Sequence, residues 1–278
     1  MGVNSIIVQR NLTEDTTKEP SGAVWGNFKD GEMGPMAPKY YLFKPDLYNC
    51  PVFASTVSQM GLITLQDTGV TIQGDPTQAG VMQWGGMDAD NDAGIITAAG
   101  NVGTSFVISD SDARELWYEI SLKKSVVTDN SMAFFAGLTE EGMATATDTL
   151  LTTDSAALKD KDFIGFHVDQ ADGDSIDFVY NKASSGGVTV KISGLSAMVA
   201  ATWIKLAFKY RPNAPAARKI AVYVNNQVQS TYVTATNIAA ATFPDGEELV
   251  PTIACKKGEA TISTLDVRLW QCAQRLYV

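Results

Sequence analysis

The chain has 278 residues, 45% of them hydrophobic and only 19% charged, with a formal net charge of −10. That is enough apolar material for one large β domain or two small ones. The acidic balance argues against nonspecific binding to nucleic acid or to acidic membranes, both of which select basic surfaces. No run of about 18 apolar residues is present to span a membrane. The N-terminus lacks a basic stretch followed by an apolar core, so no secretion signal is visible.

Residues 1–51 differ from the rest. Five of the ten prolines fall here, and the apolar residues keep no sustained period. Yet Trp25, Phe28, Tyr40, Tyr41, Phe43 and Tyr48 are many aromatics for a disordered tail. The segment reads as an extended N-terminal arm that lays its rings on a surface. That surface is either its own domain or a neighbouring subunit.

Residues 52–278 read as one β-sandwich. Short strands and turns come first. Residues 61–73 turn at Asp67-Thr68-Gly69, and further runs lie at 80–86, around Ile95 to Ala98, and at 105–109. Longer strands follow. Residues 115–123 alternate Leu116, Tyr118, Ile120 and Leu122 against Trp117, Glu119 and Ser121, the period of a strand with one face on a core. Residues 131–138 form a buried-type run. Residues 139–160 are polar, rich in Thr and Ala, and read as a long loop with at most a short helix near 155–159; such loops are often functional.

Residues 163–169 form the next strand, and 176–180 and 188–192 a hairpin. The clearest stretch is 203–227. Ile204, Leu206, Phe208 and Tyr210 share one strand face, and Ile220, Val222 and Val224 share another. Pro212, Asn213 and Pro215 break the ladder between them. Asn225-Asn226 then supplies a tight turn. Residues 231–233 extend the hairpin. Residues 250–254 and 260–271 complete the sheets, the last with Ser263, Leu265, Val267 and Leu269 opposing Thr264, Asp266, Arg268 and Trp270. Strands this frequent, with almost no helical period, predict an all-β, antiparallel two-sheet sandwich. Cys50, Cys255 and Cys272 are odd in number and widely spaced, as free thiols would be; a disulfide at Cys50 is the alternative.

The order of segments resembles concanavalin A-like jelly rolls of the laminin-G type. Trp203 to Leu206 match a W-x-x-L strand, Val222 to Asn225 a V-Y-V-N strand, and Leu265 to Leu269 the returning last strand. With FPDGEEL at 243–249 and a Gln after the terminal Trp, residues 114–274 also resemble structural proteins of tailed bacteriophages, often capsid decoration (cement) proteins. The resemblance implies a noncatalytic virion protein made in the host cytoplasm. Its partners would be a major capsid protein and further copies of itself, as a closed trimer, with no cofactor. The other expectation is a carbohydrate-binding module of a tail or fibre.

The candidate chemistry is sparse. Glu115 and Glu119 share a strand face like glycosidase carboxylates, but no Asp lies between them, and a solvated face is the plainer reading. Asp88, Asp90 and Asp92 mimic the start of a calcium loop, although Ala93 and Ala99 stand where its glycine and bidentate glutamate belong. Asp169, Asp172, Asp174 and Asp177 form a second acidic cluster. His167 is the single histidine, so any nucleophilic triad must use it; a strand histidine beside a carboxylate is favoured. Trp203, Tyr223 and Trp270, off the core register, could form a glycan platform or lie covered by the arm or a neighbour. No catalytic, cofactor-binding or metal residue is assigned.

Overall fold

The computed structural model describes residues 20–26, 40–54, 58–59, 61–98, 106–111, 113–152 and 156–276. A single helical turn, α1 (Gly22–Trp25), is followed by β1 (Tyr40–Phe43), β2 (Ser58–Gln59), β3 (Leu62–Gln66), β4 (Thr71–Gly74), β5 (Met82–Met87), β6 (Ala93–Ala98) and β7 (Phe106–Val107). The long strands are β8 (Leu116–Lys124), β9 (Met132–Glu140), β10 (Phe163–Val168), β11 (Ser175–Asn181), β12 (Thr189–Ala197), β13 (Ile204–Tyr210), β14 (Ile220–Val224) and β15 (Gln227–Val233). A second short helix, α2 (Ala235–Ile238), precedes β16 (Glu248–Lys257) and β17 (Ser263–Arg275).

The strands form two antiparallel sheets. One runs β15-β14-β13-β8-β17-β5-β4, with β1 also paired to β17. The other runs β12-β11-β10-β9-β16-β6-β3-β2, with β7 paired to β16. Among the long strands the chain changes sheet between β8 and β9, between β12 and β13, and on both sides of β16, and the short strands β1–β7 cross between the sheets as well, which makes the sandwich a jelly roll. The alternating residues of β8 and β13 face inward as their period predicts. Tyr118 stacks on Phe208 at 5.0 Å between ring centroids, and Phe208 meets Phe178 of the opposite sheet at 5.7 Å. Asn225 and Asn226 have φ of 47° and 70°, and that left-handed pair turns β14 directly into β15.

One strand departs from its expected register. Between Val267 and Leu269 the pairing of β17 with β8 slips by one residue, leaving Arg268 as a bulge. A bulge reverses the side-chain parity beyond it. Leu265 and Val267 face the core as expected, but past the bulge it is Trp270 and Cys272 that enter it.

Of residues 1–51, the described parts lie on the chain's own sandwich. β1 extends β17 through Tyr40–Arg275 to Phe43–Cys272. α1 packs on the outer face of the same sheet, with Val24, Trp25 and Tyr40 against Trp117, Ala207, Ala221, Tyr223 and Ala273. Residues 1–19 and 27–39 lie outside the described residues. On the other sheet's outer face lie the described parts of the 141–158 loop, residues 141–152 and 156–158. Met143, Leu150, Leu151 and Ala156 bury against Ile95, Phe135, Phe163, Val179 and Ala254. The short helix expected near 155–159 is absent at 156–159, where Ala156 turns with φ 49° and Leu158 bridges Leu151; residues 153–155 lie outside the described residues. Under this loop the ring of Phe135 crosses Gly137 and Gly165. A Cβ on either glycine would come within 2.8–2.9 Å of the ring and 2.3–2.6 Å of a facing carbonyl oxygen.

One end of the sandwich is tied by Lys124. It follows the outward Lys123 on β8 and is fully buried. Its ammonium donates to the carbonyls of Met132 and Gly173, each at 2.6 Å. Burial lowers its pKa to about 8.

Candidate functional site

The carboxylates and rings singled out in the sequence are mostly not open to solvent. Glu119 is fully buried beneath α1 rather than solvated. It accepts hydrogen bonds from the Ser21 backbone N–H and hydroxyl, from Trp25 Nε1 at 2.8 Å and from Gln271 Nε2 at 3.2 Å. Burial raises its pKa, and the bonds to Ser21 and the nearby Lys205 oppose the rise. Glu115 stands four residues earlier, just before β8 begins, about 13 Å away along extended chain. Glycosidase carboxylates sit roughly 5–9.5 Å apart around a substrate, so the two do not form such a pair.

The acidic clusters are tied up in local turns. Asp92 accepts from the backbone of Asp88 and Ala89 at 3.0 and 2.8 Å. Asp169 caps Ala171, and Asp177 accepts from Gly194. Among the described residues no group of three or more His, Cys, Asp or Glu converges as metal ligands would. His167 lies on β10 opposite Asp177 and Phe135, buried under the 141–158 loop, where it bonds the Ala156 backbone. Burial lowers its pKa, against the pull of Asp169. All three cysteines are free thiols; Cys255 and Cys272 are buried and Cys50 is half-buried.

The expected ring platform is dispersed. Trp270 is in the core because of the Arg268 bulge. Tyr223 is covered by α1. Trp203 stays half-exposed, but the Arg268 guanidinium stacks on its ring at 3.9 Å and Lys123 Nζ lies 4.9 Å from its centroid. Lys123 in turn pairs with Asp266 at 2.8 Å.

What the bulge creates instead is a cleft. The turn after β1 crosses the bulged part of β17, and Lys44, Pro45, Leu47, Tyr48, Arg268 and Leu269 enclose about 360 Å³ between them. This lies at the small end of the range for ligand pockets, about 300–1,000 Å³. Leu47 and Leu269 are buried and give it an apolar floor. Tyr48 is 75% exposed and stands as its wall. That ring is held in place. Asp46 caps the short turn Leu47–Asn49 by accepting from Tyr48 N at 3.1 Å and from the Asn49 side chain. Behind the ring lies Gly80, with φ +76°, where a Cβ would come 3.0 Å from Tyr48 Cε1 and Cζ. Lys44 and Asp46 supply charge beside the cleft, and Arg268, whose guanidinium stacks on Trp203, lines the opposite wall. Sequence reading missed this site, because its two walls lie more than two hundred residues apart. The one local signal is the adjacent apolar pair Leu269-Trp270, which marks a change of strand parity.

No protein family matches the sequence, and no curated protein does. Solved structures do match the fold. The carbohydrate recognition domain of Emp46p, in its potassium-bound form, aligns over 86% of this chain and 97% of its own, with a TM-score of 0.54 and 11% identity. Lectin UEA-II complexed with galactose aligns over 84% and 98%, at 0.51 and 16%. Peanut lectin aligns over 86% and 99%, at 0.50 and 13%. The fold is a lectin-type, concanavalin A-like jelly roll. Identities this low carry the fold and nothing finer.

Proposed function

We propose that this chain is a noncatalytic glycan-binding module and that its ligand lies in the Tyr48–Arg268 cleft. The observation that carries the reading is the exposed Tyr48 ring over an apolar floor, rimmed by charged groups. A pyranose presents a C–H face suited to a flat ring and hydroxyls suited to fixed polar groups, and such mixed linings mark small-ligand sites. The carbohydrate-binding character of the structural neighbours supports it. A glycan array probed with the wild-type chain and with Tyr48→Ala tests it. Saturable binding to one class of sugar, lost in the variant, is the expected result. No binding across the array, or binding indifferent to Tyr48, contradicts it.

A second reading places the module on a phage particle as a capsid decoration protein beside a major capsid protein. Besides the sequence resemblance, it is favoured by two sheet edges. β12 and β15 end their sheets among the described residues, and both carry mostly part- or fully exposed side chains. Their free backbone groups suit strand addition by neighbouring copies. Copy number per purified particle tests this: hundreds support it, and none rules it out.

A further inference from the structure

The outer face of the first sheet contains a hollow built to receive a particular short segment. Its floor is small. Ala207 of β13 and Ala221 of β14 lie across β8 from Ala273 of β17, which pairs with Trp117. Trp117 and Tyr223 form its aromatic walls. At its centre is the Glu119 carboxylate, with no exposed surface. Val24 and Trp25 fill the hollow, the Trp25 ring stacked on Trp117 at 6.4 Å between centroids.

The donors that satisfy the carboxylate come mainly from the incoming segment. These are the Ser21 N–H, the Ser21 hydroxyl and the Trp25 indole; from the sheet come the Gln271 amide and the nearby charge of Lys205. A carboxylate sealed from water without donors is strongly unfavourable. The hollow therefore selects a segment that brings a hydroxyl and an indole N–H four residues apart. Of the five tryptophans, only Trp25 has Ser or Thr four positions before it. The fitting segment is this chain's own, and any further copy carries it too.

Nothing in the lock requires that segment to come from the same molecule. It is one helical turn outside both sheets, joined to β1 by residues 27–39. That connector, fully extended, reaches about 45 Å. The same contacts form in cis or in trans, so the difference lies only in effective concentration, on the order of millimolar for a short tether. We propose that the Glu119 hollow is a recognition site for the Ser21–Trp25 segment of a second copy, so that crowded copies link by exchanging arms.

Full-length variants test this. Trp25→Ala empties the hollow, and Glu119→Ala disables it while leaving the arm intact. A labelled synthetic peptide of residues 18–28 is expected to bind Trp25→Ala saturably. It should bind the wild type at least tenfold more weakly, because the tethered arm competes. It should not bind the Trp25→Ala, Glu119→Ala double variant. Mixing the two single variants is expected to give a one-to-one complex by light scattering, at a concentration where each alone is a monomer. Should Glu119→Ala fail to fold, Ala207→Leu, which fills the hollow, takes its place. A folded Trp25→Ala that binds the peptide no better than the wild type, or equally with the hollow disabled, overturns the proposal.

Discussion

Replacing Lys124 with methionine separates the effect of one buried charge from everything else in the fold. The ammonium sits between the sheets, bonded to two carbonyls, and its pKa falls from 10.5 to about 8. The folded protein thus holds this proton less tightly than the unfolded chain. Below pH 8 both states are protonated, and the folded state bears the full cost of the buried charge. Between pH 8 and 10.5 the folded state releases the proton first, so Lys124 makes stability rise with pH. At about 1.4 kcal/mol per pKa unit, the change across that window is about 3 kcal/mol. The buried tyrosine and cysteines, whose pKa values are raised by burial, act in the opposite direction in both proteins and cancel in the difference. The assay is urea denaturation of the wild type and Lys124→Met, followed by tryptophan fluorescence at pH 7, 8, 9 and 10. The expected result is a wild-type stability that gains on the variant above pH 8. A difference constant with pH to within about 0.5 kcal/mol would refute the reasoning.

Two further predictions concern packing and reactivity. Gly165→Ala should destabilise the sandwich by about 3 kcal/mol in the same urea assay, because the new Cβ meets the Ala136 carbonyl oxygen at 2.6 Å and the Phe135 ring at 2.9 Å; an unchanged midpoint would show that the strands can part. Thiol titration with a chromogenic disulfide near pH 8 should find at most slow reaction at Cys50, whose pKa burial raises to about 11, and none at Cys255 or Cys272. All three should react in denaturant, and fast labelling of two or more in the native protein would contradict the described core.

The jelly roll was legible because its strands obey a local rule. β8, β13 and β14 each carry one apolar face at period two, and Asn225-Asn226 encodes its own turn. What escaped depends on partners remote in sequence. The Leu265–Trp270 run alternates cleanly until the Arg268 bulge, so an uninterrupted reading put Trp270 on the wrong face. Glu119 looks like any outward strand carboxylate, since the Ser21 and Trp25 donors that bury it come from about a hundred residues earlier. β1 is four apolar residues without alternation, and it becomes a strand only because the end of β17 offers it an edge. The cleft combines two of these features, the bulge and the turn after β1, and so inherits the invisibility of both.

Amide chemical-shift mapping with the best-bound sugar from the array tests the central claim most directly. The account predicts saturable shifts at Lys44 to Tyr48, at Arg268 to Trp270 and at Gly80 behind the Tyr48 ring. Shifts concentrated at the β12 and β15 edges or over the 141–158 loop, with that cleft silent, would contradict it.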